Sequence, residues 1–267
     1  MEAIHQAAWD GDVAAIDRLV AEDGERLNAR NQVDLGIPGC DSRECTPLMV
    51  AACRGHDAAV VGLLALGADM GLQSARGSFA THWACFSNQP FSLALLLDAG
   101  ASMDARDNRG RTPLMVAAAV RGATDCVSLL LARFGDEVGE QLGMVDYNGS
   151  SAAHAACCCS QPSTLALLLN AGASMIVRNN HGQTSLMVAA VKGTSDCVTL
   201  LLARFGDGVA EQLGMVDNEG NSAAHLACYF KQPSTLALLL VAGASMDARN
   251  NHGQTSLMVA AALIGGD

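Results

Sequence analysis

The sequence predicts an all-α protein, a solenoid of stacked helix-turn-helix repeats joined by β-turn or hairpin loops. A short segment, TPLMVAA in its clearest form, returns along the whole chain with small changes. Its copies begin at residues 46, 79, 112, 151, 184, 222 and 255. Four of the six intervals between them are 33 residues long, and a fixed period of this size is typical of stacked repeats.

The start of each repeat has the signals of a helix N-terminus. Thr46, Thr112 and Thr184 are good N-cap residues, and Pro47 and Pro113 follow at the first helical position, where a missing amide hydrogen costs nothing. A short helix with a face of small apolar residues should therefore begin at each copy.

A second helix should follow each first one. In the 46–77 repeat it is predicted to run from Val60 to Leu66 and to end at Gly67 in the left-handed region. Half of the residues are hydrophobic but only 4% are aromatic, so we expect a core of Leu, Ala, Val and Met. One helix pair cannot bury its apolar side alone, and stacking on neighbours should complete the core.

These residues resemble the ankyrin repeat, whose period is 33 and whose pattern is T-P-L-H-x-A. The resemblance extends upstream to HQAAWDGDVAAIDRLVAEDG at 5–24 and covers nearly the whole chain as a single array, 1–267. The predicted units are approximately 2–31, 46–77, 79–110, 112–149, 151–182, 184–220 and 222–253, with a partial unit at 255–267 and an inserted loop at 32–45.

The longer intervals follow Leu131 and Leu202. There the chain is five or six residues longer than the plain repeat, and the simplest interpretation is a longer loop after the second helix. A paired binding ridge is the alternative.

Charge and targeting signals limit the partners and the compartment. Sixteen Lys and Arg against 27 Asp and Glu give a net charge of −11, which argues against a nucleic-acid partner. No signal peptide or membrane span is recognisable, so we expect no membrane association and a cytoplasmic protein, with the nucleus as an alternative. The ten cysteines should then be free thiols, with Cys158 and Cys159 exposed enough to oxidise.

A His with a Cys three residues later occurs at 82, 154 and 225. The spacing suits zinc, but these helices are two repeats apart, about 16 to 20 Å, which is too far to complete a four-ligand site. The Cys slots face the helical core, where burial raises a thiol pKa and disfavours nucleophilic catalysis. We therefore predict no metal site, no cofactor and no catalytic residue. A zinc-responsive or redox-responsive protein remains an alternative.

The sequence departs from the family pattern where Thr and His should occur together. Met takes the fourth position wherever Thr opens the repeat, and the opening residues before His are Phe79, Ser151 and Ser222. Ser can replace the Thr hydroxyl as a partner for His, whereas Phe79 cannot.

By the family resemblance, partners bind the concave face made by the turns and by the outer positions of the first helices. We expect the aromatic residues in these positions to be exposed, and exposed aromatic residues are preferred interface anchors. The alternative is that they pack against the adjacent turn. Val50, Cys53 and Arg54 fall in the same helix slots. We predict the following partner-binding residues: Trp83, Phe86, Arg109, Arg111, Tyr147, His181, Tyr229, Phe230 and His252.

We predict a non-enzymatic scaffold that binds a protein partner of unidentified kind. The alternative is the recognition arm of a larger regulatory protein, such as an enzyme or a ubiquitin-ligase subunit, whose active domain lies outside this chain. The protein should be monomeric, with association possible through the incomplete C-terminal repeat. There the helix bearing Leu257, Val259, Ala260, Leu263 and Ile264 should either precede further chain or cap residues 236–240.

Overall fold

The computed structural model describes residues 2–31 and 43–264. The chain divides into two compact units, Met1–Gly135 and Asp136–Asp267, and each is described here by itself. Most of the inserted loop predicted at 32–45 lies outside the described residues. The single array over 1–267 and the bounds of its units stay a prediction.

The first unit contains four consecutive helix pairs among its described residues. They are α1 (Ala3–Asp10), α2 (Val13–Glu22), α3 (Pro47–Arg54), α4 (Asp57–Ala65), α5 (Ala80–Phe86), α6 (Pro90–Asp98), α7 (Pro113–Ala119) and α8 (Thr124–Phe134). The first helices α1, α3, α5 and α7 pack side by side in that order, and the second helices α2, α4, α6 and α8 form a parallel row behind them. This arrangement is the predicted stack of helix-turn-helix repeats.

The second unit repeats the arrangement. Its described helices are α9 (Val138–Gly143), α10 (Ala152–Cys158), α11 (Pro162–Asn170), α12 (Ser185–Lys192), α13 (Ser195–Phe205), α14 (Val209–Gly214), α15 (Ala223–Tyr229), α16 (Pro233–Val241) and α17 (Ser256–Ile264). The first helices α10, α12, α15 and α17 pack in sequence, and α11, α13 and α16 form the second row.

The predicted helix starts are confirmed. Thr46 Oγ1 accepts a hydrogen bond from the Met49 amide at 3.3 Å, and the threonines at 112 and 184 cap their helices in the same way. Pro47 and Pro113 are the first residues of α3 and α7. At the other end of the second helix, Gly67 has a φ of 89°, as predicted.

The core consists of small and aliphatic side chains, as the composition predicted. Leu63, Leu93, Leu130, Leu165 and Leu201 are fully buried on the second helices. The paired alanines and the cysteines of the first helices are buried as well. Because the side chains between neighbouring helices are short, the helix backbones can pack close together.

The connections between repeats are turns that reach from one repeat to the next. In the first unit the Asn108 amide donates to the Arg76 carbonyl at 3.0 Å, and Asn108 Nδ2 donates to the Ala75 carbonyl at 3.2 Å. Gly77 has a φ of 72°, and a Cβ there would lie 2.7 Å from the Asn108 backbone, so glycine is required. Among the described residues no strand forms, and the one isolated bridge joins Arg249 and Thr255.

The prediction that the chain after Leu131 and Leu202 forms a longer loop is wrong, because the added residues are helical. The second helix itself extends to Phe134 and to Phe205, and a 3₁₀ turn and a further short helix follow, α9 in one copy and α14 in the other. The extra residues form helix because the apolar Leu213 on α14 is buried beside α13. The sequence interval shows that residues were added but not that they acquired a buried side chain.

The C-terminal helix packs differently from the expected cap. α17 lies against α15, the preceding first helix, rather than against residues 236–240 of α16. It therefore takes the ordinary place of a first helix in the stack. Val259 is buried, whereas Leu257 and Met258 are 64% and 49% exposed.

Candidate functional site

The predicted partner-binding residues lie on the first helices and on the turn tips of both units. We call this face, made by the first helices and the turn tips of a unit, the inner surface. On the first unit it carries Trp83 and Phe86 of α5 and Arg109 and Arg111 of a turn. On the second unit it carries the remaining five predicted residues, Tyr147, His181, Tyr229, Phe230 and His252.

The expected exposure of Trp83 is wrong. Its side chain is 1% exposed, and Val50 and Cys53, in related slots of α3, are also buried. Because α5 lies between α3 and α7, a side chain pointing across the stack is covered by the neighbouring repeat. Trp83 meets Phe86 edge to face, with ring centroids 6.2 Å apart. Truncating Trp83 would therefore remove core packing, so it is no test of a surface.

Arg54, the third residue predicted in the α3 slots, is exposed as expected. Its guanidinium carbon lies 4.4 Å from the centroid of the Trp9 ring, in a cation–π arrangement. Its charge is therefore already engaged with a side chain of α1.

A cavity of about 90 Å³ lies between α5 and the turns before α5 and α7. Its lining combines the Trp83 and Phe86 rings with polar turn residues. The residues that line it are Arg76, Ser78, His82, Trp83, Phe86, Arg109, Arg111 and Val116. All four of the predicted residues on this unit thus line one cavity.

Two of the lining side chains are held by neighbours. Arg111 Nε and Nη2 donate to the buried Asp107 carboxylate at 2.8 and 2.7 Å. Burial alone would raise the pKa of Asp107, but the hydrogen bonds from Arg111 outweigh it and hold that pKa below its ordinary value. Asp107 therefore neutralises Arg111 and fixes its position.

His82 is held in one neutral form. Its Nε2 lies 2.9 Å from the Arg111 carbonyl, which can only accept, so Nε2 carries the proton. Nδ1 then accepts from the Phe79 amide at 3.4 Å. Burial lowers the pKa of His82, against the raising effect of the bond to Arg111. The ring of Phe79 also stacks on that of His82, so this repeat keeps its histidine without an opening hydroxyl.

Two further arginines at the cavity are without such partners. Within residues 2–31 and 43–264, the side chains of Arg76 and Arg109 make no ion pair and no side-chain hydrogen bond. The indole N–H of Trp83 is buried and likewise has no hydrogen-bond partner in the described chain. The cavity therefore offers donors and positive charge.

The predicted residues on the second unit are exposed. Tyr147 is 68% exposed, and the adjacent Tyr229 and Phe230 are 60% and 43% exposed with ring centroids 5.1 Å apart. His181 and His252 project at turn tips and are also exposed. The structure brings Tyr229 and Phe230 together as a pair at the end of α15.

The other His–Cys pairs have the predicted structural roles. Ser151 and Ser222 Oγ lie 2.9 Å from Nδ1 of His154 and His225, and Nε2 of each histidine lies 3.0 Å from a carbonyl of the next turn. Burial raises the pKa of the Cys85 and Cys228 thiols, as expected for core positions. No group of three or more metal-ligating side chains occurs in the part of the chain that the structure describes.

Two thiols have a different environment. Cys158 and Cys159 are exposed at the end of α10, as predicted. A hydrogen bond from Cys159, and to a smaller extent the charge of Lys192, lower the pKa of Cys158 to about 6 against the raising effect of burial. Cys158 therefore ionises to a thiolate more readily than an ordinary exposed cysteine.

Sequence reasoning missed Arg76 and Ser78 as members of the cavity. The available signal was an Arg-Gly pair one residue ahead of the opening residues of two consecutive repeats, Arg76-Gly77 and Arg109-Gly110. Placing them beside Trp83 required the turn geometry. Across the described helices, none has the length and apolar character needed to cross a membrane.

Comparison with known proteins identifies the repeats. A model of ankyrin repeats matches three overlapping regions, and a single ankyrin-repeat model matches residues 219–251. The three regions are 4–107, 48–141 and 118–212.

This chain resembles parts of longer curated proteins. SH3 and multiple ankyrin repeat domains protein 2 of Homo sapiens is 33% identical over 163 residues, which are 61% of this chain and 8% of that protein. B-cell lymphoma 3 protein homolog of Mus musculus is 28% identical over 219 residues, which are 80% of this chain and 48% of that protein. The chain thus spans less than half the length of either relative.

Solved structures give the same architecture. The human ASB11 ankyrin repeat domain has a TM-score of 0.68 and 25% identity, covering 81% of this chain and 92% of that one. A chain from the complex of the Bd0816 predatory endopeptidase of Bdellovibrio bacteriovorus with immunity protein Bd3460 has a TM-score of 0.62 and 26% identity, covering 76% of this chain and 98% of that one.

Proposed function

The chain belongs to the ankyrin-repeat family, and from that premise we propose that it is a non-enzymatic scaffold that binds a partner protein on the inner surface of its repeats. Ankyrin repeats are generally protein-interaction modules and typically non-catalytic. The chain from the endopeptidase–immunity protein complex, which is similar in structure, also supports a protein as the partner.

The observation that carries the proposal is the exposed aromatic pair Tyr229 and Phe230. Aromatic residues are only 4% of the chain, yet two of them lie side by side on the inner surface with more than two fifths of each exposed. Aromatic side chains of this kind anchor interfaces because they bury a large area at a small cost in side-chain entropy. Tyr147, His181 and His252 extend the same surface along the turn tips.

Affinity capture from cell extract, quantified by mass spectrometry, tests the proposal. Tyr229→Ala with Phe230→Ala should weaken capture of a specific partner about tenfold or more, as expected of a hot spot. Phe91→Ala is the matched control, because Phe91 is 75% exposed on the second helix α6, away from the inner surface. Equal loss in the control, or full capture by the double variant, would contradict the proposal. The circular dichroism of both variants must stay helical.

A second candidate function is the recognition arm of a larger regulatory protein. The observation that favours it is the small share of each curated relative that this chain covers, 8% and 48% for the two described above. In the E3 ubiquitin-protein ligase KEG of Arabidopsis thaliana the similar region is also 8% of the protein. Mass-spectrometric mapping of the endogenous protein distinguishes the two candidates, since peptides from beyond residues 1–267 would support the larger protein.

The compartment and the assembly state belong to the same proposal. A cytoplasmic or nuclear protein fits the buried free thiols of the core, because such thiols persist in a reducing compartment. We propose that the chain is a monomer in which the exposed part of α17 is the place for association. Imaging of the tagged protein and sedimentation over a range of concentrations test these two points.

A further inference from the structure

The cavity between α5 and the two neighbouring turns has an unusual balance of hydrogen-bonding groups. Among the described residues no carboxylate lines it, while three guanidinium groups, an indole and a hydroxyl do. Asp107, which balances Arg111, is buried and is not part of the lining. His82 has both ring nitrogens engaged with backbone groups and contributes no acceptor.

Three side chains that line the cavity, Trp83, Arg76 and Arg109, have no partner for their polar groups in the described chain. Trp83 is 1% exposed, and a buried indole N–H normally finds an acceptor because leaving the donor unpaired is unfavourable. Arg76 and Arg109 lie in adjoining turn tips, joined by the bond from the Asn108 amide to the Arg76 carbonyl. Both guanidinium groups are without a described ion pair. A buried indole without a described partner and two arginines without a described ion pair thus belong to side chains that line one small cavity.

This concentration contrasts with the rest of the protein. The chain as a whole carries a net charge of −11, so two unpaired arginines at one cavity are a local exception. The repeats of the second unit carry other residues at these positions. Those in the slot of Trp83 are Ala155, Val188, Leu226 and Val259, and those in the slot of Arg109 are Asn148, His181, Glu219 and His252.

We propose that this cavity binds the carboxylate of a Glu or Asp side chain on an acidic segment of the partner protein. The carboxylate would pair with Arg76 and Arg109 next to the Trp83 ring. Arg111, held by Asp107, would form the fixed wall. Phe86 and Val116 would contact the methylene stem of the acidic side chain. The proposal rests on the inner surface being the partner-binding face.

Charge and size favour a carboxylate as the occupant. The planar fork of arginine matches a carboxylate and allows paired hydrogen bonds to its two oxygens. A cavity of about 90 Å³ with apolar residues on one side suits a small planar anion on a short aliphatic stem. An extended acidic segment would also meet both arginines, since they belong to consecutive repeats.

Nuclear magnetic resonance on the full chain tests the proposal through the indole signals of Trp9 and Trp83. Trp9→Phe assigns the two signals. The probe is a blocked pentapeptide, Gly-Ser-Glu-Ser-Gly, compared with versions in which the glutamate is replaced by glutamine or by phosphoserine, and with inorganic phosphate. We expect a saturable shift of the Trp83 indole proton with the glutamate peptide, and the glutamine peptide should bind at least about tenfold more weakly.

Substitutions in the turn tips locate the effect without disturbing the core. Arg76→Gln and Arg109→Gln should each weaken the glutamate peptide about tenfold, whereas Arg121→Gln, an exposed arginine that does not line the cavity, should leave it unchanged.

Several outcomes would overturn the proposal. Equal affinity for the glutamine peptide, or unchanged binding in both turn-tip variants, would show that the cavity does not select a carboxylate. Tighter binding of the phosphoserine peptide or of inorganic phosphate would assign it to a phosphoryl group instead. Loss of partner capture in Tyr229→Ala with Phe230→Ala, together with no response to the glutamate peptide, would leave the scaffold function standing and refute only the carboxylate site.

Discussion

At the scale of single residues, the repeats use histidine and cysteine for opposite purposes. The histidines bond the first helix of one repeat to the turn of the next, whereas the cysteines occupy slots where a small apolar side chain suffices. Both residue types also occur at the surface, as His181, His252, Cys158 and Cys159 show. The same residue therefore acquires different chemistry from its place in the repeat.

The surface thiol Cys158 should be the most reactive cysteine of the described chain. Its pKa of about 6 makes it mostly thiolate at pH 7, while burial protects thiols such as Cys85. We expect alkylation by iodoacetamide, followed by tandem mass spectrometry, to modify Cys158 first with a midpoint near pH 6. Cys159→Ala removes the hydrogen bond and should move the midpoint upward. A wild-type midpoint above pH 8 would contradict the prediction.

The buried histidines should make stability depend on pH. Burial lowers the pKa of His5, His82 and His154, so the folded chain keeps them neutral while the unfolded chain protonates them near pH 6.5. The free energy of unfolding should therefore have its full value above pH 6.5 and should decrease as the pH falls below 6.5. Each unit of pKa difference contributes about 1.4 kcal/mol.

Urea unfolding at pH 7.5 and 5.5 measures this dependence. His181→Gln serves as the control because His181 is exposed at a turn tip, and it should leave the difference between the two pH values unchanged. An equal or greater free energy of unfolding at pH 5.5 would show that the buried histidines do not act in this way.

At the scale of elements, the two extended repeats differ from the others by a helix that packs. α13 and α14 contact each other within the second unit, and Leu213 is 6% exposed. Leu213→Ala should lower the free energy of unfolding by about 2 to 5 kcal/mol, because it removes a buried leucine side chain. Denaturant unfolding measures the change.

Glu211 on the same short helix is the control. It is exposed, so Glu211→Ala should change the free energy of unfolding by less than about 0.5 kcal/mol. If both substitutions have the same small effect, α14 is a tolerated surface insertion and not part of the core.

The last described helix should be less protected than the helix it packs on. α17 buries Val259 against α15 but leaves Leu257 and Met258 exposed. Amide hydrogen exchange should be faster in residues 256–264 than in α15, since fewer buried side chains hold the helix. Leu257→Lys should reduce any self-association measured by sedimentation. Equal protection of the two helices, in a chain that stays monomeric, would contradict this expectation.

At the scale of the whole molecule, charge separates the general surface from the cavity on the first unit. The net charge of −11 repels phosphate backbones, whereas Arg76 and Arg109 provide attraction at one point. We therefore expect no binding of a fluorescein-labelled 20-base-pair duplex at 150 mM salt, measured by anisotropy. A dissociation constant below about 10⁻⁴ M would contradict this expectation, because it would reach the range of non-specific DNA-binding proteins.

The sequence by itself determined the architecture, because the information is local and repeated. Thr46 and Pro47 specify a helix start from adjacent residues, Gly67 specifies an end, and a period of 33 requires that each unit pack on the next. The family, the buried cysteines and the histidine bonds to the turns all follow from positions within one repeat.

Only the tertiary structure decided which side chains reach solvent and which meet. Trp83 has a slot that the repeat pattern places on the inner surface, but the neighbouring repeat covers it, and coverage depends on the sizes of side chains from other repeats. The cavity joins residues separated by up to 40 positions, from Arg76 to Val116, through turn geometry that no local pattern encodes. The added residues after Leu202 form a packed helix because Leu213 is buried. That burial again depends on a contact between elements, here α13 and α14.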